Sequence, residues 1–210
     1  MAQIETVVTG LALTALAAGT GATTLTFDQD RTGAVAADWI AGVTGKGSPR
    51  WTIETDVTAP SAPQVLKQSG HGTFPWCVRK GVLLADGFVE VKFKPLSGNE
   101  DQAGGVVWRW QDGDHYYGAR ANALENNVSL YYTEGGRRKT LNYSDAPVAG
   151  KQWHALRVEF RGSRIRVLLD GTSYIEVDDS HLSGAGSVGV WTKADSVTLF
   201  DDFAFGPDVP

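Results

Sequence analysis

Between residues 104 and 132 the chain reads GGVVWRWQDGDHYYGARANALENNVSLYY. Arg109, Tyr117, Arg120, Asn122, Glu125, Asn127 and Tyr131 put guanidinium forks, amides, phenol rings and one carboxylate into a single short stretch. Such a mixture suits a polyhydroxylated ligand. An aromatic ring packs on the C–H face of a sugar, and Arg, Asn or Ser takes its hydroxyls. The later run VGVWTKAD adds Trp191 and Lys193 of the same types. If the chemistry is catalytic, Glu125 is the candidate acid or base. Arg120, Arg109 or Lys193 would then stabilise an oxyanion.

These residues need strands to position them. GFVEVKFKP alternates Val89, Val91 and Phe93 with Glu90, Lys92 and Lys94, the pattern of a strand with one buried face. KQWHALRVEFRG repeats the pattern with Leu156, Val158 and Phe160. Gly162-Ser163 and Asp170-Gly171 are hairpin signals between further strand-like runs. Residues 31–50 read as loop, 57–64 with Pro60 and Pro63 as a turn, and Arg137-Arg138-Lys139 as a solvated hairpin tip. No window outside the first residues has helical periodicity. The expected fold is all-β, a two-sheet antiparallel β-sandwich of the jelly-roll kind.

Residues 104–132 then form three strands. Centring the first turn on Gly113 pairs Trp110 with Tyr116, Trp108 with Gly118 and Val106 with Arg120. Centring the second on Leu124 pairs Arg120 with Val128 and Tyr116 with Tyr132. Side chains alternate across a strand. Val106, Trp108, Trp110, Tyr116, Val128, Leu130 and Tyr132 therefore face the core, with Arg120 at one end and Glu125 as its nearest partner. Arg109, Tyr117, Ser129 and Tyr131 face outward. Val188 and Val190 read as buried, which puts Trp191 and Lys193 on the opposite face.

The 210 residues carry 19 Lys and Arg against 24 Asp and Glu, a net charge of −5, with no long basic run. Nucleic acid is not an expected partner. The single cysteine, Cys77, excludes an intrachain disulfide and reads as a small hydrophobe. A nucleophilic role would require a basic neighbour and exposure. The apolar run at 7–18 is too short to span a membrane and resembles a signal-peptide core, although Glu5 stands where a basic residue is expected. The expected organisation is a leader over residues 1–22, one sandwich over 23–206 and a tail over 207–210, in a secreted, periplasmic or otherwise extracellular protein. If the leader is retained, it becomes a self-assembly segment.

The strings WRW…YYGARANALENNVSLYY, WHALRVEF, a Asp170-Gly171 hairpin, GSVGVWTK and a closing FDDF resemble the concanavalin A-like lectin/glucanase superfamily. Within it the resemblance is nearest to domains of the 3-keto-disaccharide hydrolase type. It implies two twisted antiparallel sheets with a functional surface on the concave one. It also implies site positions at Arg109, Tyr117, Arg120, Asn122, Glu125, Asn127, Trp191 and Lys193. Many relatives in the superfamily hold a structural calcium between N- and C-terminal acids. Asp28 and Asp202, with Asp30 and Asp201, are the positions that match. The glucanase string E-x-D-x-x-E is absent, and with it the pair of carboxylates about 5–5.5 Å apart that a retaining glycosidase uses. Three readings follow: a carbohydrate-binding domain, a hydrolase or lyase acting on (3-keto-)glycosides, and an extracellular assembly protein.

Overall fold

The computed structural model describes residues 21–207, and every described element is a strand. The leader expected over residues 1–22 falls almost wholly outside the described residues. In chain order the strands are β1 (Thr23–Leu25), β2 (Trp39–Ser48), β3 (Trp51–Thr55), β4 (Gln64–Gln68), β5 (His71–Arg79), β6 (Gly87–Ser97), β7 (Ala103–Asp112) and β8 (His115–Asn122). They continue with β9 (Asn127–Glu134), β10 (Arg137–Asp145), β11 (His154–Arg161), β12 (Arg164–Leu169), β13 (Thr172–Asp178), β14 (Ser187–Trp191) and β15 (Val197–Gly206). All pairings are antiparallel. One sheet runs β13-β12-β11-β6-β15-β4-β3 with β1 beside β15; the other runs β10-β9-β8-β7-β14-β5-β2. The fold is the expected two-sheet sandwich.

The strongest alternation in the sequence builds the first sheet. Val89, Val91 and Phe93 of β6 lie beside Val158, Leu156 and His154 of β11. They meet Trp108, Tyr117, Ala119, Val128, Leu130 and Tyr132 of the second sheet in one core. Trp108 stacks between Tyr117 and Phe160, at ring-centre distances of 5.3 and 5.9 Å. The hairpins at Gly162-Ser163 and Asp170-Gly171 close where expected, with Arg161 opposite Arg164 and Leu169 opposite Thr172.

Three local readings change. The loop expected over residues 31–50 contains β2, ten residues paired along β5. Its glycines hid the strand: Gly42 is there because a side chain would collide with the Trp76 ring. The stretch 69–75, SGHGTFP, reads from sequence as a loop leading into Trp76, and from His71 it is strand, part of β5. Arg138 is not at a solvated tip. It is the second residue of β10 and its guanidinium folds back over the sheet.

The register of the central strands slips by one residue. Trp108 lies opposite Tyr117, Val106 opposite Ala119 and Gly105 opposite Arg120. A bulge between Trp108 and Asp112 absorbs extra residues, with Arg109 at φ 45°. The next connection is four residues long, with Asn122 opposite Asn127 and Asn126 at φ 50°. Its centre therefore falls between residues and not on Leu124. A one-residue slip exchanges the two faces of a strand. Only β8 is inverted as a whole: Tyr117, Ala119 and Ala121 enter the core, and Tyr116, Gly118 and Arg120 turn outward. The strands β7 and β9 keep Val106, Trp108, Val128, Leu130 and Tyr132 inside, as expected. Beyond the bulge Trp110 joins the outer face.

Candidate functional site

The outer face of the seven-stranded sheet carries a second aromatic cluster. Trp76, Val78, Val107, Tyr116 and Trp191 pack together there, with Phe74 and Trp110 against them. Strand alternation puts Phe74 and Trp76 of β5 on this face, because Cys77 between Trp76 and Val78 belongs to the core. Phe74 stacks on Trp191 at 5.7 Å and 20°, Trp76 packs on Trp110 at 5.2 Å, and Tyr131 approaches Trp191 at 6.2 Å. The Tyr116 hydroxyl bonds Thr44 Oγ1 at 2.8 Å.

The sheet bends toward this face. Arg138 of β10 places its guanidinium carbon 4.2 Å from the Tyr131 ring centre and 4.5 Å from that of Phe74. Five inter-strand steps separate β10 from β5 in the sheet order, about 24 Å in a flat sheet. One arginine side chain cannot cover that span. The sheet must curl inward on this side, which makes it the concave face.

A polar network borders the aromatic cluster. Arg120 donates from Nε to the Tyr131 hydroxyl at 2.9 Å, from one terminal nitrogen to Asp101 Oδ1, and from the other to Glu125 Oε2 at 2.5 Å. Lys193 takes the second Asp101 oxygen. The Asn122 amide donates to Asp101 Oδ1 at 2.7 Å, and that of Asn127 to Glu125 Oε2 at 3.0 Å. Arg120 and Asp101 are buried, whereas the Glu125 side chain is 39% exposed. Burial pushes the Glu125 carboxyl up, but Arg120, the Asn127 amide and Lys193 together outweigh it and hold the group below its ordinary value. It is therefore ionised at neutral pH, the form of a base and not of an acid, and its ion pairs make it a weaker base than a free carboxylate.

Of the residues singled out from sequence, Arg120, Asn122, Glu125, Asn127, Tyr131, Trp191 and Lys193 come together on or beside this face. The expected Arg120–Glu125 pair is present, although Arg120 faces outward and not into the core. Two residues lie elsewhere. Tyr117 is a core residue whose hydroxyl donates to Asp179 and accepts from Leu182 N at 3.1 Å. Burial and the Asp179 bond push this phenol up to about 12. Arg109 turns away at the bulge and donates to the carbonyls of Ala85, Leu182 and Gly162 at 3.1, 3.1 and 2.8 Å, and to Asp86. It ties loops together at the sandwich end.

Phe74, Trp76, Asp101, Trp110, Tyr116 and Arg138 belong to the face and were not assigned to it from sequence. The alternation of Phe74, Trp76 and Val78 was a usable signal for the first two. Asp101 had none, since it sits in the loop SGNEDQAGG.

The two acids matched to a calcium site are engaged with other partners. Asp28 accepts from Gln64 N at 3.1 Å and Asp202 pairs with Lys92 at 2.7 Å. Among the described residues no group of three or more His, Cys, Asp or Glu side chains could hold a metal ion. Cys77 is fully buried, and desolvation pushes its thiol far up, which suits a packed hydrophobe.

No protein-family model matches the chain, and no curated protein sequence matches it. Solved structures do. A carbohydrate binding module, CBM66 from Bacillus subtilis, superposes with a TM-score of 0.66 at 18% identity, over 79% of this chain and 93% of that one. A protein of unknown function with a galectin-like fold, also from Bacillus subtilis, gives 0.60 at 12% identity, over 80% of this chain and 89% of that one. A Bacillus licheniformis beta-glucanase gives 0.58 at 12% identity, over 90% of this chain and 99% of that one. The fold is a concanavalin A-like jelly roll. At these identities the likeness is one of fold.

Proposed function

We propose that this chain binds saccharide on the concave face of its seven-stranded sheet. The observation that carries the reading is the aromatic cluster itself. Five large rings, Phe74, Trp76, Trp110, Tyr131 and Trp191, sit on the side of the sheet away from the core. The indole nitrogens of Trp76, Trp110 and Trp191 are buried within the cluster and have no acceptor among the described residues. Rings for a sugar's C–H face, beside charged and amide side chains for its hydroxyls, are the two halves of a carbohydrate site. A carbohydrate binding module and a beta-glucanase on the same fold support this reading.

Calorimetry against neutral and acidic oligosaccharides tests it. Binding should occur and should fall about tenfold or more in Trp110→Ala, the size expected for a lost stacking platform. A folded protein that binds no saccharide overturns the reading.

A glycoside-cleaving activity, on 3-keto-glycosides or others, has one observation in its favour. Glu125 is a partly exposed, ionised carboxylate beside two cations. Glu125→Gln should then abolish turnover and leave binding. Unchanged turnover removes Glu125 from that role.

The apolar run at 7–18 is the basis for proposing export from the cytoplasm. Mass spectrometry of the native protein would show a mature chain starting near residue 20. A retained leader would favour the assembly reading instead.

A further inference from the structure

We propose that the saccharide bound on this face is anionic, and that Arg138 receives its carboxylate. The inference rests on the carbohydrate reading above and narrows it to uronate-containing glycans. Charges on the concave face do not balance. Three cations stand there: Arg120, Lys193 and Arg138. Two carboxylates answer them, Asp101 and Glu125. Three minus two leaves one positive charge, on a molecule whose net charge is −5.

The surplus is localised. Arg120 and Lys193 use both oxygens of Asp101, and Arg120 with Asn127 uses Glu125 Oε2. In the β7–β8 hairpin Asp112 is engaged by the His115 ring at 2.9 Å, and Asp114 lies beside Gly136 without forming an ion pair to Arg138. Arg138 has no carboxylate partner among the described residues, and one of its terminal nitrogens is buried with no hydrogen-bond partner. Its guanidinium lies between the Tyr131 and Phe74 rings, 6.0 Å from the centre of Trp191.

Cation–π contact compensates part of such a charge and leaves the N–H edge unsatisfied. Burial in this place disfavours the charged form and the nearby Arg120 disfavours it further, and together they outweigh the favourable influence of Tyr131, Asp101 and Tyr116. An anion beside the guanidinium offsets both penalties. A guanidinium presents a planar fork that matches a carboxylate with two parallel hydrogen bonds. The fork stands at the edge of the aromatic cluster that would receive the sugar ring. A uronate residue carries its ring and its carboxylate in that relation.

The experiment is calorimetry with oligomers of galacturonate, glucuronate and mannuronate, each paired with its carboxyl-reduced counterpart, alongside neutral gluco-oligosaccharides. At least one uronate should bind, and its reduced counterpart should bind about tenfold more weakly. That preference should shrink as NaCl rises from 0.05 to 0.5 M. Arg138→Gln should erase the preference and Arg138→Lys should retain part of it, with circular dichroism confirming a folded sandwich in both. The proposal is overturned if a uronate and its reduced counterpart bind equally, if only neutral oligomers bind, or if Arg138→Gln keeps the preference. Failure of the whole panel overturns the carbohydrate reading with it, and so differs from binding without charge preference.

Discussion

Arg120, Asp101 and Glu125 share one ion network, yet burial assigns them different weights. Arg120 and Asp101 are 4% and 1% exposed at the side chain. Removing one partner of a buried pair strands the other charge out of water. Arg120→Leu is therefore expected to cost about 3 kcal/mol or more, read from the urea midpoint. Lys193 remains to hold Asp101 and limits the loss. Glu125→Gln should cost less than about 1 kcal/mol, because a solvated carboxylate loses little when its ion pair is removed. Equal costs for the two variants would contradict the burial pattern. The Arg120–Glu125 pairing was legible in sequence because the two residues flank one short connection. Asp101 was not, because it arrives from a loop that only β7 brings alongside.

At the scale of elements, the β7 bulge divides two neighbouring tryptophans. Trp108, before it, is fully buried between Tyr117 and Phe160. Trp110, beyond it, packs on Trp76 on the concave side. Trp108→Ala should cost about 3–5 kcal/mol and leave any folded fraction able to bind. Trp110→Ala should cost far less and weaken saccharide binding. Thermal unfolding and calorimetry on the same two proteins separate these outcomes, and matched losses for both would contradict the division. The bulge also accounts for Arg109. Its positive φ turns the side chain out of the alternation and into hydrogen bonds with three carbonyls of the sandwich end. Arg109→Ala should reduce stability with no change in affinity, since no part of Arg109 reaches the concave face.

For the molecule as a whole, one carboxylate ties the turn around residues 58–63 to the last strand. Asp201 is fully buried and accepts from Ser61 N and Ser61 Oγ, both at 2.8 Å, and from Asp202 N at 2.7 Å. Burial pushes it up to about 6 from 3.8, against those three donors, and the Asp202 charge adds to the rise. A folded value above the unfolded one means that the native state binds the extra proton. The contribution of Asp201 is therefore fully present below pH 3.8 and is lost as pH rises through about 6. Asp201→Asn removes this dependence. The melting temperature of the variant minus that of the natural protein should rise between pH 4 and 6.5, and a flat or falling difference would contradict the assignment.

By itself the sequence determined the architecture. Period-2 alternation in β6 and β11, together with glycine and Asp-Gly turns, defines strands whose apolar faces have no option but to pack sheet on sheet. It also specified most of the polar chemistry, since Arg120, Glu125, Asn127, Tyr131, Trp191 and Lys193 are bound to their positions along short strands. Tertiary structure alone decided which face of β8 is wet. That choice depends on a bulge and on an even-numbered connection, features that shift register by one residue and leave no mark in composition. Tertiary structure also decided the place of Arg138. The sequence shows a basic cluster after two glycines, the usual look of a solvated tip. Only the curl of the sheet brings Phe74, five strand steps away, close enough to cover it.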